Sequence, residues 1–210
     1  MRKLNYIMWA CAAVCFACVY LSLHASTGSM QTPVVETGVA IGKPAPAFSL
    51  TDQDGKTVQL SDYAGKLIVL EWMNPACPIV QRHYSAGTMI GLYKQYKDKG
   101  IVWLSIDSTS TDDNAADKKW ATGQQVPWPI LSDAGGATGK AYGATNTPGM
   151  FVIGTDGAVL YKGAIDNDPQ GDRGASGVNY VSQALDEILA GKPVSAPETK
   201  QYGCSVKYAS

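Results

Sequence analysis

Hydrophobic and polar positions alternate between strand-like and helix-like stretches over most of the chain. LIVLEW (67–72) and IVWLSID (101–107) are short runs, apolar on both faces, and predict buried strands of a central sheet. Residues 78–99 between them carry a helical pattern with a break at Gly87. TDDNAADKKWAT (111–122) starts with Thr111 or Asp112 followed by acidic residues and predicts another helix. GGATGKAYGA (135–144) predicts a short helix at best. TPGMFVIGTDGAVLYKGAID (147–166) reads as a hairpin turning at Thr155-Asp156-Gly157. VNYVSQALDEILAGKP (178–193) is amphipathic, apolar at Val181, Leu185, Ile188 and Leu189, and is ended by Gly191 and Pro193. Ahead of these, FSLTDQDGKTVQLSDYAGK (48–66) predicts a hairpin around Asp54-Gly55. The tail SAPETKQYGCSVKYAS (195–210) shows no regular periodicity and looks flexible. The order strand, helix, strand, helix, hairpin, helix predicts one α/β domain. Its first half needs parallel crossovers, and its last two strands are antiparallel.

The N-terminus departs from this pattern. Arg2 and Lys3 precede an uncharged, mostly apolar run from Ile7 to Leu23, with small residues around Ala25. That is the layout of a secretory signal; the run is also near the lower limit for a retained anchor. The expected organisation is a signal peptide or signal-anchor over 1–25, a linker over 26–43 and the globular domain over 44–210. Export is expected, to the periplasm or outside the cell, with membrane contact only through the N-terminal segment. A net charge of −1 gives no electrostatic basis for binding nucleic acid.

Export changes how the five cysteines read. Cys11, Cys15 and Cys18 lie in the N-terminal segment, so the domain keeps Cys77 and Cys204. In an oxidising compartment two thiols either form a structural staple or cycle. Cys77 stands between a predicted strand and a predicted helix, with Pro78 next. Proline suits the first helical position because its missing N–H would be unpaired there anyway. A cysteine at the N-cap faces the free N–H groups and positive end of the helix, which favours the nucleophilic thiolate. The other reading is a cysteine that merely packs. Glu71, inside an apolar strand, should be desolvated and its pKa raised, which suits proton transfer to or from a nearby sulfur unless its head reaches solvent. Thr147-Pro148 precedes a strand; X-Pro is the bond type that adopts cis, and such a turn presents backbone edges with which an extended partner pairs. Gln81, four residues after Cys77, shares its helix face, whereas His83 points elsewhere and packs or meets solvent. Arg82 reads as a surface cation. Met73, His83, Met89 and the two cysteines match no recognised copper ligand set, and DNDPQGD (166–172) lacks the twelve-residue calcium-loop pattern. No metal or cofactor is expected.

GKPAPAFSLTDQDGKTVQLSDYAGKLIVLEW, the helix-start cysteine in NPACPIVQRHY, NTPGMFVIGTDGAVLYKGAID, and the ending NYVSQALDEILAGKPV with YGCSVKY together resemble the redoxin group of the thioredoxin fold. That group includes the alkyl-hydroperoxide-reductase/thiol-specific-antioxidant (AhpC/TSA, peroxiredoxin) family and thioredoxin-like reductases, and the likeness is to the peroxiredoxin-like branch of exported redoxin-domain proteins. It spans roughly residues 40–208. It implies a thioredoxin-like fold, a central mixed β-sheet flanked by helices on both faces with an N-terminal β-hairpin extension. It also implies an active cysteine at Cys77, a cis proline at Pro148 and a buried acid at Glu71.

Three departures bear on the reaction. The second cysteine of a Cys-x-x-Cys pair is replaced by Val80. The proline and threonine that peroxiredoxins place seven and three residues before the reactive cysteine are Leu70 and Asn74, although Asn74 offers an amide for a peroxide. Neither Arg82 nor Arg173 stands where peroxiredoxins keep the arginine that holds the thiolate. The expected activity is therefore that of a thiol-dependent oxidoreductase, with three versions. In the first, Cys77 reduces a peroxide and Cys204 resolves the sulfenic acid. In the second, the pair reduces disulfides in proteins or small molecules. In the third, the cysteines form a staple and the proline groove binds a partner. The first two need a thiol electron donor. The candidate site is Cys77, Cys204 and Glu71 for chemistry, with Asn74, Pro148, Thr147 and Gln81 for substrate.

Overall fold

The computed structural model describes residues 38–111 and 114–209. The N-terminal segment with Cys11, Cys15 and Cys18, most of the linker, and Asp112 lie outside the described residues. The elements are β1 (Ser49–Asp52), β2 (Thr57–Gln59), β3 (Leu67–Trp72), α1 (Pro78–Ser85), α2 (Thr88–Tyr96), β4 (Ile101–Asp107), α3 (Asn114–Gln124), β5 (Ile130–Ser132), α4 (Ala137–Tyr142), β6 (Asn146–Thr147), β7 (Gly149–Ile153), β8 (Val159–Gly163), α5 (Tyr180–Leu189) and β9 (Cys204–Ser205).

Seven strands form one mixed sheet in the order β2-β1-β5-β4-β3-β7-β8. β3, β4 and β5 run parallel, and β7 and β8 close the sheet as the antiparallel hairpin. The fold is thus α/β and thioredoxin-like, and β1 with β2 is the N-terminal hairpin extension, joined antiparallel to β5. Asp52 shapes the hairpin turn: its Oδ1 accepts the N–H groups of Asp54 and Lys56 at 2.9 and 2.8 Å.

Strand side chains alternate between two cores. Val69, Trp103, Met150 and Val152 face a cluster completed by Val80, Met89, Leu92 and Leu185 of the helices. Ile68, Leu70, Trp72, Leu104 and Phe151 face a second cluster with Phe48, Val58 and Tyr142. Helices α1, α2, α3 and α5 cover the first face. The second is covered more thinly, by α4 and the segments around Val39 and Tyr63. The expected helix over 78–99 is divided at Gly87, which takes a left-handed φ of 74°.

Two expectations need correction. ILS (130–132) forms β5 although no element was expected there, and the tail, irregular apart from Cys204–Ser205, is not loose. β9 pairs antiparallel with β6, Thr147 opposite Cys204 and Asn146 opposite Ser205. Two- and three-residue strands are too short to carry a period. They form because distant backbone offers them a ladder.

Candidate active site

The loop after β3 delivers Cys77 to its place. Met73 N–H donates to the Ile106 carbonyl at 3.0 Å, extending the parallel ladder one residue past the strand. Asn74 then ties the turn: its Oδ1 accepts Ala76 N–H at 2.7 Å, its Nδ2 donates to Thr109 Oγ1 at 2.7 Å, and its carbonyl accepts Cys77 N–H at 3.0 Å. Cys77 is the N-cap of α1, extended at φ −78°, with Pro78 as the first helical residue. Its side chain does not cap the helix; the sulfur turns to Thr147 and, as a thiol, donates to that residue's carbonyl at 3.2 Å. Only 2% of Cys77 is exposed.

The opposite wall is the β6–β9 pair, beside the cis Thr147–Pro148 bond. Pairing with Thr147 sets Cys204 next to Cys77, and both are free thiols. Burial pushes the Cys77 thiol up, but its neighbours outweigh this: the Cys204 side chain first, then the Thr147 side chain and the backbone of Val80 and Cys204. The net result holds Cys77 below the ordinary thiol range. Cys204, half-buried, moves the other way, through burial and through the neighbouring Cys77 sulfur. Of the two sulfurs, Cys77 is therefore the one that ionises more readily. The Thr147 hydroxyl is buried and has no hydrogen-bond partner among the described residues.

Glu71 is fully buried. Its Oε2 accepts from Ser105 Oγ at 2.8 Å, Tyr84 Oη at 3.0 Å and Trp103 Nε1 at 3.3 Å, while Oε1 has no hydrogen-bond partner. Burial raises its pKa, and those three donors only partly offset the rise. Neither oxygen bonds a cysteine. Gln81 is exposed and donates to the Pro75 carbonyl at 2.9 Å, so the shared helix face does not bring its amide to the sulfur. Arg82 donates to the carbonyls of Asp168 and Pro169, both at 2.9 Å. DNDPQGD is a capped turn: Asp168 accepts the N–H groups of Gly171, Asp172 and Arg173.

Sequence reasoning missed the anchors of the tail. His83 is buried, with Nε2 3.0 Å from Tyr202 Oη and Nδ1 3.9 Å from Asp166. Tyr202 donates in turn to Asp166 Oδ1. Burial lowers the His83 pKa against the pull of Asp166, so the neutral ring is favoured. Gln201 Oε1 accepts the N–H groups of Thr145 and Asn146 at 3.1 and 3.2 Å. The tail carries no periodic pattern, so nothing in the sequence signals these roles.

A strand leading to a helix-capping cysteine, across from a cis-proline edge on a mixed sheet, defines a thiol-dependent oxidoreductase of the thioredoxin-like fold. The chain belongs to the AhpC/TSA family, whose sequence model matches residues 41–162. It is 34% identical over 125 residues to thiol-disulfide oxidoreductase ResA of Bacillus thuringiensis subsp. konkukian (strain 97-27), covering 60% of this chain and 70% of that one. It is also 34% identical over 138 residues to chloroplastic peroxiredoxin Q of Triticum aestivum, covering 62% of each. An uncharacterized conserved protein of Geobacillus kaustophilus superposes with a TM-score of 0.71 at 29% identity, covering 81% of this chain and 93% of that one. Among the described residues no helix is long and apolar enough to cross a membrane.

Proposed function

We propose that the chain is an exported two-cysteine thiol peroxidase. The Cys77 thiolate attacks one oxygen of a peroxide; the O–O bond breaks, the second oxygen leaves as water or alcohol after protonation, and Cys77 becomes a sulfenic acid. Cys204 then attacks the Cys77 sulfur, forming the disulfide and releasing water. An external thiol donor returns the pair to the reduced state. The observation that carries this reading is that both thiols adjoin one residue: Cys204 lies opposite Thr147 in the β6–β9 ladder, and the Cys77 sulfur is 3.2 Å from the Thr147 carbonyl. With 2% exposure at Cys77, a peroxide reaches the sulfur more readily than a folded protein does. Thr147, through its unpartnered hydroxyl, is the group placed to hold the peroxide beside the Pro148 edge. Asn74 and Gln81 are assigned to shaping the loop, because their amides are already engaged. Glu71 is assigned as a buried proton reservoir. Export rests on the basic, then apolar, then small-residue pattern of residues 1–25.

The test is to mix reduced protein with a slight excess of hydrogen peroxide, quench with an alkylating reagent and weigh the product. Both thiols should disappear together with no oxygen gained, and Cys204→Ser should accumulate one oxygen on Cys77. Slow oxidation alongside rapid reduction of added disulfides would instead support disulfide reduction, the activity in the ResA relative's name.

A further inference from the structure

We infer that residues 200–208 are a built-in occupant of the edge where an extended polypeptide would bind, and that they restrict the oxidants of this site to small molecules. The inference rests on the two-thiol site and not on peroxide being the oxidant.

The register opposite Thr147 is the position from which a sulfur reaches Cys77. Cys204 stands there: it faces Thr147 in the ladder, and the Cys77 sulfur lies 3.2 Å from the Thr147 carbonyl. A polypeptide disulfide presented as an added strand would have to place its own cysteine at that same register. Its backbone would meet the groups that β9 already uses.

The segment is fastened on both sides of that register. Before it, Gln201 Oε1 takes the N–H groups of Thr145 and Asn146, and Asn146 Nδ2 donates to the Gly203 carbonyl at 3.0 Å. After it, Val206 N–H donates to the Thr145 carbonyl at 3.0 Å, and the Lys207 carbonyl accepts Ser110 N–H at 2.9 Å. Tyr208 ends the strap, with Oη donating to the Ala144 carbonyl at 2.7 Å. The fit leaves no slack at two glycines. A Cβ on Gly203 would lie 2.1 Å from the Thr147 carbonyl oxygen, and one on Gly139 would lie 2.4 Å from Tyr208 Oη. Peroxide and low-molecular-weight disulfides need no strand pairing, so the strap leaves them free to react.

When a disulfide is the oxidant, the Cys77 thiolate attacks one of its sulfurs and the other leaves as a thiolate. Cys204 then attacks Cys77, releases the second thiol and leaves the protein pair oxidised. The experiment follows this oxidation in the full reduced chain, using bis(2-hydroxyethyl) disulfide, the interchain disulfides of insulin, and hydrogen peroxide as oxidants, with Cys77→Ser as the background. The unaltered chain should react with the small disulfide and not with insulin above that background. In Gln201→Ala/Tyr208→Ala, which loosens both ends of the strap while keeping both thiols, the insulin rate should rise about tenfold and the small-disulfide rate should stay within about twofold. If that variant does not fold, Gly203→Ala serves in its place, and the two disulfide rates of the unaltered chain still decide. Equal rates with insulin and the small disulfide in the unaltered chain overturn the inference. So does an equal gain for both disulfides, or no gain in any folded strap variant. Inertness to peroxide with the insulin pattern intact overturns only the peroxidase reading.

Discussion

At Glu71 three donors crowd one carboxylate oxygen while the other, equally buried, has none. The residue stood out in the sequence as the lone carboxylate in an apolar strand, and its raised pKa follows from that position. A carboxyl group whose pKa is higher folded than unfolded contributes stability that is complete below the unfolded value. That contribution is lost as pH rises through the folded value. For Glu71 the loss begins near the ordinary 4.5 and continues up to its raised value. Glu71→Gln, which keeps the shape and remains neutral, should therefore remove this decline. By denaturant unfolding the variant should match the unaltered chain at pH 4 and exceed it at pH 7 to 8. Equal stability at both ends would mean that Glu71 titrates normally. Asn74 and Gln81 were less legible. Their spacing from Cys77 is visible in sequence, but amides turn toward whatever backbone groups lie nearest, and here those are Ala76 and Pro75.

At the scale of elements, β3, β4, the β7–β8 hairpin and α5 were readable because each is long enough to show its period. β5 and β9 were not, and β9 is the element that completes the site. What holds it is a hydrogen-bonded group spread over three segments: His83 from α1, Asp166 after β8, and Tyr202 from the tail. Tyr202→Phe removes one hydroxyl and deprives both Asp166 and His83 of a partner. Unfolding free energy should fall by about 1–3 kcal/mol, since a partly buried acceptor is left without its donor. Because the strap carries Cys204, formation of the Cys77–Cys204 bond after peroxide addition should also slow. A stability loss with an unchanged rate of bond formation would mean that Tyr202 supports the fold without positioning the thiol.

At the scale of the whole molecule, the chain replaces the usual pair of neighbouring cysteines at a helix start with two that lie far apart in sequence. Val80 fills the near position. The second sulfur arrives from the far end of the domain because the edge at Thr147 accepts a strand. The mixed sheet, the helix-start cysteine and the family were all legible, since they rest on local pattern. The pairing of β6 with β9 was not, since a ladder of two residues is fixed by tertiary contact alone. The claim beneath the rest is that Cys204, set opposite Thr147, lowers the pKa of Cys77. The direct measurement is the pH dependence of Cys77 alkylation, resolved from Cys204 by peptide mass, in the unaltered chain and in Cys204→Ala. The midpoint should lie below the ordinary thiol value of 9.0 and move upward when Cys204 is replaced. A midpoint at or above 9.0, or one indifferent to the loss of Cys204, would contradict the account.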